Sequence, residues 1–167
     1  MTNKRFNFNV SFSIKLSIKA DKLWTIISSK RNLELYHPFC KKNIPIKWPG
    51  VNSVDEIHYY NGDIYTRKFI NWIENIGYDL YISKKKSNNS LVKWRIKKDN
   101  GNSILTITIY PYLFNTKNKF INFLPFYLFV KPILYNYLSK IGKGLIYHIK
   151  TKQKVNKNQF GSHIWFS

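Results

Sequence analysis

From Phe6 to Ile18 every second residue is apolar: Phe6, Phe8, Val10, Phe12, Ile14, Leu16 and Ile18, with Asn, Ser and Lys between them. A period of two predicts a long strand with one face on an apolar interior and the other in water. The period then changes. Asp21 stands where a helix cap would, and Leu23, Trp24 and Ile27, then Leu33, Leu35 and Tyr36, have helical spacing. Ser28-Ser29-Lys30-Arg31-Asn32 divides this stretch into two short helices that end at His37-Pro38, because a residue before proline disfavours helix.

From Ile44 to Phe114 the pattern predicts antiparallel strands separated by polar turns, with strands over roughly 78–84, 91–97 and 103–112. Asn61-Gly62 is the strongest hairpin signal, since both residues tolerate positive φ. A two-residue turn there pairs Tyr60 with Asp63, His58 with Tyr65 and Glu56 with Arg67. Glu56, His58, Tyr60, Tyr65 and Arg67 then share one face, and Ile57, Tyr59, Ile64, Thr66, Ile70 and Trp72 the other.

Phe123 to Val130 is an unbroken apolar run, too short for the roughly 20 residues of a membrane span. A long helix is predicted from about Pro132, with proline in its first turn and an apolar stripe of Leu134, Leu138, Ile141, Leu145 and Ile149. Gly142 and Gly144 lie within it and point to a close approach of backbone or ligand. The aromatics of Phe160-Gly-Ser-His-Ile-Trp-Phe166 predict that the end of the chain packs back onto the domain.

The chain has 167 residues, of which 44% are hydrophobic and 17% aromatic, so it suits one folded domain over 1–167 and excludes extensive disorder. The single cysteine, Cys40, excludes a disulfide framework and a thiolate zinc site, and suits a reducing, cytoplasmic compartment. The opening MTNKRFNFNV alternates where a secretory leader would run apolar, so no leader is expected. Against 28 Lys and Arg stand 8 Asp and Glu, a net charge of +20. That excess points towards nucleic acid or an anionic membrane. Alanine occurs once while Lys, Asn, Ile, Tyr and Phe abound, so AT-rich codon usage is a second source of the same charge.

The order of one strand, two short helices, a run of strands and one long helix resembles the helix-grip fold of the START-related superfamily, which includes polyketide cyclase/dehydrase-like proteins and lipid carriers. The resemblance rests on FNVSFSIKLSI, KADKLWTIIS, LELYHPFC and NYLSKIGKGLIYHI, and the ending NQFGSHIWFS is similar to that of a bacterial subset. It implies an α+β fold, a curved antiparallel sheet gripping the C-terminal helix over an apolar cavity. It implies no reaction, since most such proteins bind ligands and few catalyse.

The expected function is therefore binding or transport of a small hydrophobic or amphipathic ligand (a lipid, quinone, isoprenoid or polyketide-like molecule). Candidate lining residues are Phe8, Val10, Phe12, Ile14, Trp94, Ile107, Leu138, Ile141 and Leu145. The face with Glu56, His58, Tyr60 and Arg67 has two readings. As a solvated face it carries one cross-strand ion pair. Turned into the cavity, Arg67 becomes a fixed donor for a ligand carboxylate or carbonyl, held by Glu56. A cyclase, dehydratase or hydrolase in the same cavity is the enzymatic alternative, and it needs Arg67, His58 or Tyr60 as acid or base. No catalytic residue is assigned, and no cofactor or metal site is expected: the four histidines lack i, i+4 spacing, and no HExxH, CxxC or phosphate loop occurs. His37 reads as closing a turn, His148 as a helix-surface residue and Cys40 as a small apolar filler.

Lys93-Trp94-Arg95 alternates ring and charge, which places them on opposite faces and speaks against a nucleic-acid stacking platform. The run Phe123–Val130, flanked by Lys117, Lys119 and Lys131, is read either as a patch for transient contact with an anionic membrane or as buried core.

Overall fold

The computed structural model describes residues 7–116 and 119–167; Phe6 of the predicted strand and Lys117 beside the apolar run lie outside them. Seven antiparallel strands form one sheet in the order β1-β7-β6-β5-β4-β3-β2, with β1 (Val10–Leu16), β2 (Cys40–Lys47), β3 (Val54–Tyr59), β4 (Ile64–Ile73), β5 (Gly77–Lys84), β6 (Ser90–Asp99) and β7 (Asn102–Tyr110). Between β1 and β2 stand α1 (Ala20–Ile27) and α2 (Leu33–Tyr36). Asp21 lies inside the first turn of α1 and makes no capping bond, so it complements the helix dipole instead.

After β7 come α3 (Tyr112–Thr116), α4 (Lys119–Pro125), a π-helical turn (Phe126–Val130) and α5 (Lys131–Thr151). The helix predicted from Pro132 thus has helical backbone leading into it from Lys119. Pro125 and Pro132 each remove an N–H from the helical ladder, and the wide π turn sits between them. The curved sheet grips α5, which packs against β1 and α2. This is the α+β helix-grip arrangement that the resemblance implied.

Leu134, Leu138, Ile141 and Leu145 of the predicted stripe are buried, and Tyr137 joins them. Gly144 lets the helix meet α2: a Cβ there would collide with the Tyr36 carbonyl oxygen. At Gly142 a Cβ would lie 2.7 Å from the Phe12 ring.

The β3–β4 hairpin differs from the two-residue turn expected. Tyr59 N–H donates to Asp63 O at 2.8 Å, so three residues, Tyr60, Asn61 and Gly62, form the loop, with Gly62 at φ +92°. Asp55 therefore pairs with Arg67, Glu56 with Thr66 and Ile57 with Tyr65. One added loop residue moves every β3 side chain to the opposite face relative to β4. Asp55, Ile57 and Tyr59 share the inner face with Arg67 and Phe69, while Glu56 and His58 belong to the outer one and Tyr60 to the loop. A bulge between Phe69 and Asn71 then shifts parity again, so Trp72 also turns inward, stacking on Tyr78 at 5.6 Å.

Candidate ligand cavity

The inner face of the sheet and the underside of α5 enclose a cavity of about 640 Å³. Its walls are mostly apolar because period-two strands and the 3-4 spacing of α5 send their apolar sides to the same place. Ile57, Leu80, Val92 and Ile107 come from the sheet, and Leu134 and Ile141 from the helix. Trp165 and Phe166 of the C-terminal tail also line it. Phe166 stacks on Tyr59 at 4.7 Å and lies 4.6 Å from the Tyr137 ring, so the tail packs back as its aromatics predicted.

Of the sequence candidates, Arg67, Trp94, Ile107, Leu138 and Ile141 line this cavity. Phe12, Ile14 and Leu145 do not. Phe12 and Ile14 pack against α5 at Gly142, and Leu145 is sealed in the core. Of the others, Val10 is fully buried and Phe8 packs on Phe126 at 5.0 Å. Glu56, His58 and Tyr60 are absent from the lining because of the hairpin register: His58 pairs with Glu56 at 3.2 Å, and the Lys157 ammonium sits over the Tyr60 ring.

Ser83, Lys84, Ser87, Asn88 and Ser90 line one side of the cavity, and two buried polar groups interrupt the rest of its apolar wall. The first is Arg67, whose partner is Asp55 and not Glu56. Arg67 Nε and Nη2 donate to the two Asp55 oxygens at 2.8 and 2.5 Å, and Asn43 Nδ2 donates to Asp55 Oδ2 at 2.9 Å. All three side chains are buried. Burial opposes the Arg67 charge, but Asp55 outweighs it and holds the guanidinium protonated more firmly than usual.

The second is a chain of three rings. The Phe39 N–H donates to His37 Nδ1 at 3.3 Å, so Nε2 carries the proton and donates it to Tyr137 Oη at 2.8 Å. Tyr137 Oη and Tyr59 Oη share a further bond of 2.9 Å. Burial, with Arg67 nearby, pushes the His37 pKa down to about 3, so the ring is neutral at ordinary pH. Burial raises both tyrosines. His37 also closes its turn as expected, its carbonyl accepting from Cys40 N–H at 3.0 Å. Burial pushes the Cys40 thiol up to about 12, which leaves it protonated and a poor nucleophile.

Sequence reasoning missed Asp55, Tyr59 and Tyr137. Helical spacing offered Tyr137, three residues after Leu134 and four before Ile141; the other two were hidden by the register.

No family model and no curated protein matches the chain. Solved structures do. DynU16, a protein of the dynemicin biosynthetic locus, superposes with a TM-score of 0.65 at 10% identity over 89% of this chain, which spans only 49% of that protein. A START superfamily protein from Mycobacterium smegmatis gives 0.63 at 11% identity over 88% of this chain and all of the other. The Aha1 protein of Colwellia psychrerythraea gives 0.53 at 14% identity over 82% of this chain and 99% of its own. The fold is thus the helix-grip fold shared with these structures, the START superfamily protein among them.

Proposed function

We propose that this protein binds and carries a small apolar or amphipathic molecule, such as a lipid, quinone, isoprenoid or polyketide-like compound, in the cavity under α5. The observation that carries this reading is a mostly apolar space of about 640 Å³ with two buried, fixed polar groups in its wall, the general character of small-molecule sites. Arg67 and Asp55 cancel in charge. A neutral oxygen, as in a carbonyl or hydroxyl, therefore suits this wall better than a carboxylate, which would leave one buried negative charge in excess.

Carriage is favoured over acid–base catalysis by the state of the polar groups. His37 is neutral with a pKa near 3, Arg67 is locked to Asp55, and the tyrosines are raised. None is poised to exchange a proton near neutrality. Among the described residues no three His, Cys, Asp or Glu side chains form a metal cluster, and no helix is long and apolar enough to cross a membrane. Trp94 is buried in the cavity wall and Arg95 pairs with Asp79 at 2.6 Å on the other side, an arrangement unsuited to stacking nucleic-acid bases.

Two measurements test the reading. Native mass spectrometry of the purified protein should reveal a co-purified small molecule. The neutral apolar dye N-phenylnaphthylamine should gain fluorescence on binding, and Val92→Trp, which fills the space, should abolish the gain while the fold persists. Equal dye binding by the wild type and the filled variant defeats the proposal.

A further inference from the structure

The apolar run before α5 is neither wholly core nor wholly surface. Phe126 is fully buried against Phe8 and Phe114, with ring separations of 5.0 and 5.6 Å. Asn122 Nδ2 donates to Phe114 O at 3.2 Å. These two pin the segment to the domain and turn its other face outward. Ile121, Leu124, Leu128 and Phe129 are between 60% and 72% exposed, and Leu113 of α3 is 66% exposed. Exposed apolar surface of this kind marks a contact site.

Its surroundings select the occupant. Leu113, Phe114 and Val130 line the cavity from this side, and Ser87 and Asn88 of the β5–β6 turn line it from the other, so the patch borders an opening of the cavity. Lys84 ends β5 and Lys85 and Lys86 follow in that turn, all exposed, and Lys131 leans over the Tyr127 ring at 4.9 Å. Lys84 pairs with Asp63, whereas Lys85, Lys86 and Lys131 have no carboxylate partner among the described residues. Beyond Asp99 the chain contains no Asp or Glu at all. A second copy of a +20 chain would bring like charge against like across this patch, which disfavours self-association there.

We infer that the surface formed by α3, α4, the π turn and the β5–β6 turn docks on an anionic phospholipid bilayer, with Leu124, Leu128 and Phe129 entering the headgroup boundary and the lysines meeting lipid phosphates. The contact sets the cavity opening against the membrane, where an apolar ligand is abundant. The inference rests on the carrier reading for its purpose, but its geometry is independent of it.

Flotation with vesicles of phosphatidylcholine, with and without phosphatidylglycerol, tests it. The wild type should float with the anionic vesicles at low salt, little with the neutral ones, and less as salt rises. The double variant Leu124→Asp/Phe129→Asp should lose at least about tenfold in vesicle partitioning. Its circular dichroism and melting should be unchanged, because both side chains are exposed. Lys85→Glu/Lys86→Glu should lose about fivefold or more per lysine on anionic vesicles. No flotation at low salt, or flotation indifferent to both double variants, overturns the inference. So does a wild-type dimer in sedimentation velocity that the double Asp variant converts to monomer, since the patch would then belong to a second copy. Dye binding without vesicles separates the two proposals: the docking variants should keep it, and its failure with flotation intact removes the carrier reading and leaves docking standing.

Discussion

Arg67 and Asp55 face each other across β3 and β4 in a two-bonded pair that is 3% and 1% exposed. Such a pair stabilises little compared with an apolar pair of the same shape, yet breaking it strands a buried charge. Asp55→Ala should therefore cost about 3–5 kcal/mol in urea unfolding. Asp55→Leu/Arg67→Met should cost less than either single change, because no charge remains to be orphaned. A double variant as damaged as the sum of the two singles would show that the pair is not coupled.

The fold was legible because its signals are long: thirteen alternating positions from Phe6 to Ile18 and a helical stripe from Leu134 to Ile149 leave little freedom in assigning faces. The polar part of the site was not, because it turned on one loop residue. Asn61-Gly62 fits both a two-residue turn and a three-residue loop ending in a positive-φ glycine, and the two differ by a reversal of faces. That single choice exchanged Glu56 for Asp55 as the partner of Arg67 and hid Tyr59. The start of the C-terminal helical region was obscured by Pro125 and Pro132, which the π turn accommodates.

His37 makes stability fall on acidification. Its folded pKa, about 3, lies below its ordinary value of 6.5, so the unfolded chain binds the extra proton. Stability is complete above pH 6.5 and is lost as pH falls towards 3, at up to about 1.4 kcal/mol per unit. His163, buried beside it and donating to Ile133 O, is lowered by burial as well and acts in the same direction. His37→Gln retains a donor for Tyr137 and should flatten the urea midpoint between pH 5 and 6.5; an unchanged slope would assign the effect elsewhere.

Two buried tyrosines should respond oppositely to loss of a hydroxyl. Tyr137 Oη bonds both His37 and Tyr59, so Tyr137→Phe leaves two buried groups short of a partner and should cost about 1–3 kcal/mol. Tyr36 Oη has no hydrogen-bond partner among the described residues, and Tyr36→Phe should be neutral or stabilising. Thermal melts of the two variants suffice, and a stabilised Tyr137→Phe would contradict the buried bonds of Tyr137 to His37 and Tyr59.

The two glycines of α5 should separate in the same way. Glycine to alanine in a helix gains about 1 kcal/mol in an open position. At Gly144 the added carbon runs into the Tyr36 carbonyl, which is backbone and fixed, so Gly144→Ala should lose about 2 kcal/mol net. At Gly142 it meets the edge of the Phe12 ring at 2.7 Å, and a ring turns aside more easily, so Gly142→Ala should fall between that loss and the helix gain. The reverse order would mean that α5 is not held against α2 at Tyr36.

The tail acts as part of the cavity wall, and Phe166 shows it most directly. Its ring stacks on Tyr59 and His163, approaches Tyr137 and lines the space beneath α5. Lys140 Nζ donates to Ser162 O at 2.6 Å and Asn61 Nδ2 to Trp165 O at 2.8 Å, so the tail is tied to both α5 and the β3–β4 loop. Phe166→Ala removes the ring and leaves those ties. The expected result is a drop of about 2–4 kcal/mol in stability together with faster dissociation of N-phenylnaphthylamine, because the change opens a wall of the cavity besides removing buried packing. Ile164→Ala, at a side chain that is 82% exposed on the same tail, should change neither. If Phe166→Ala lowers stability but leaves the dye dissociation rate alone, the tail is a clasp on the fold with no part in holding the ligand.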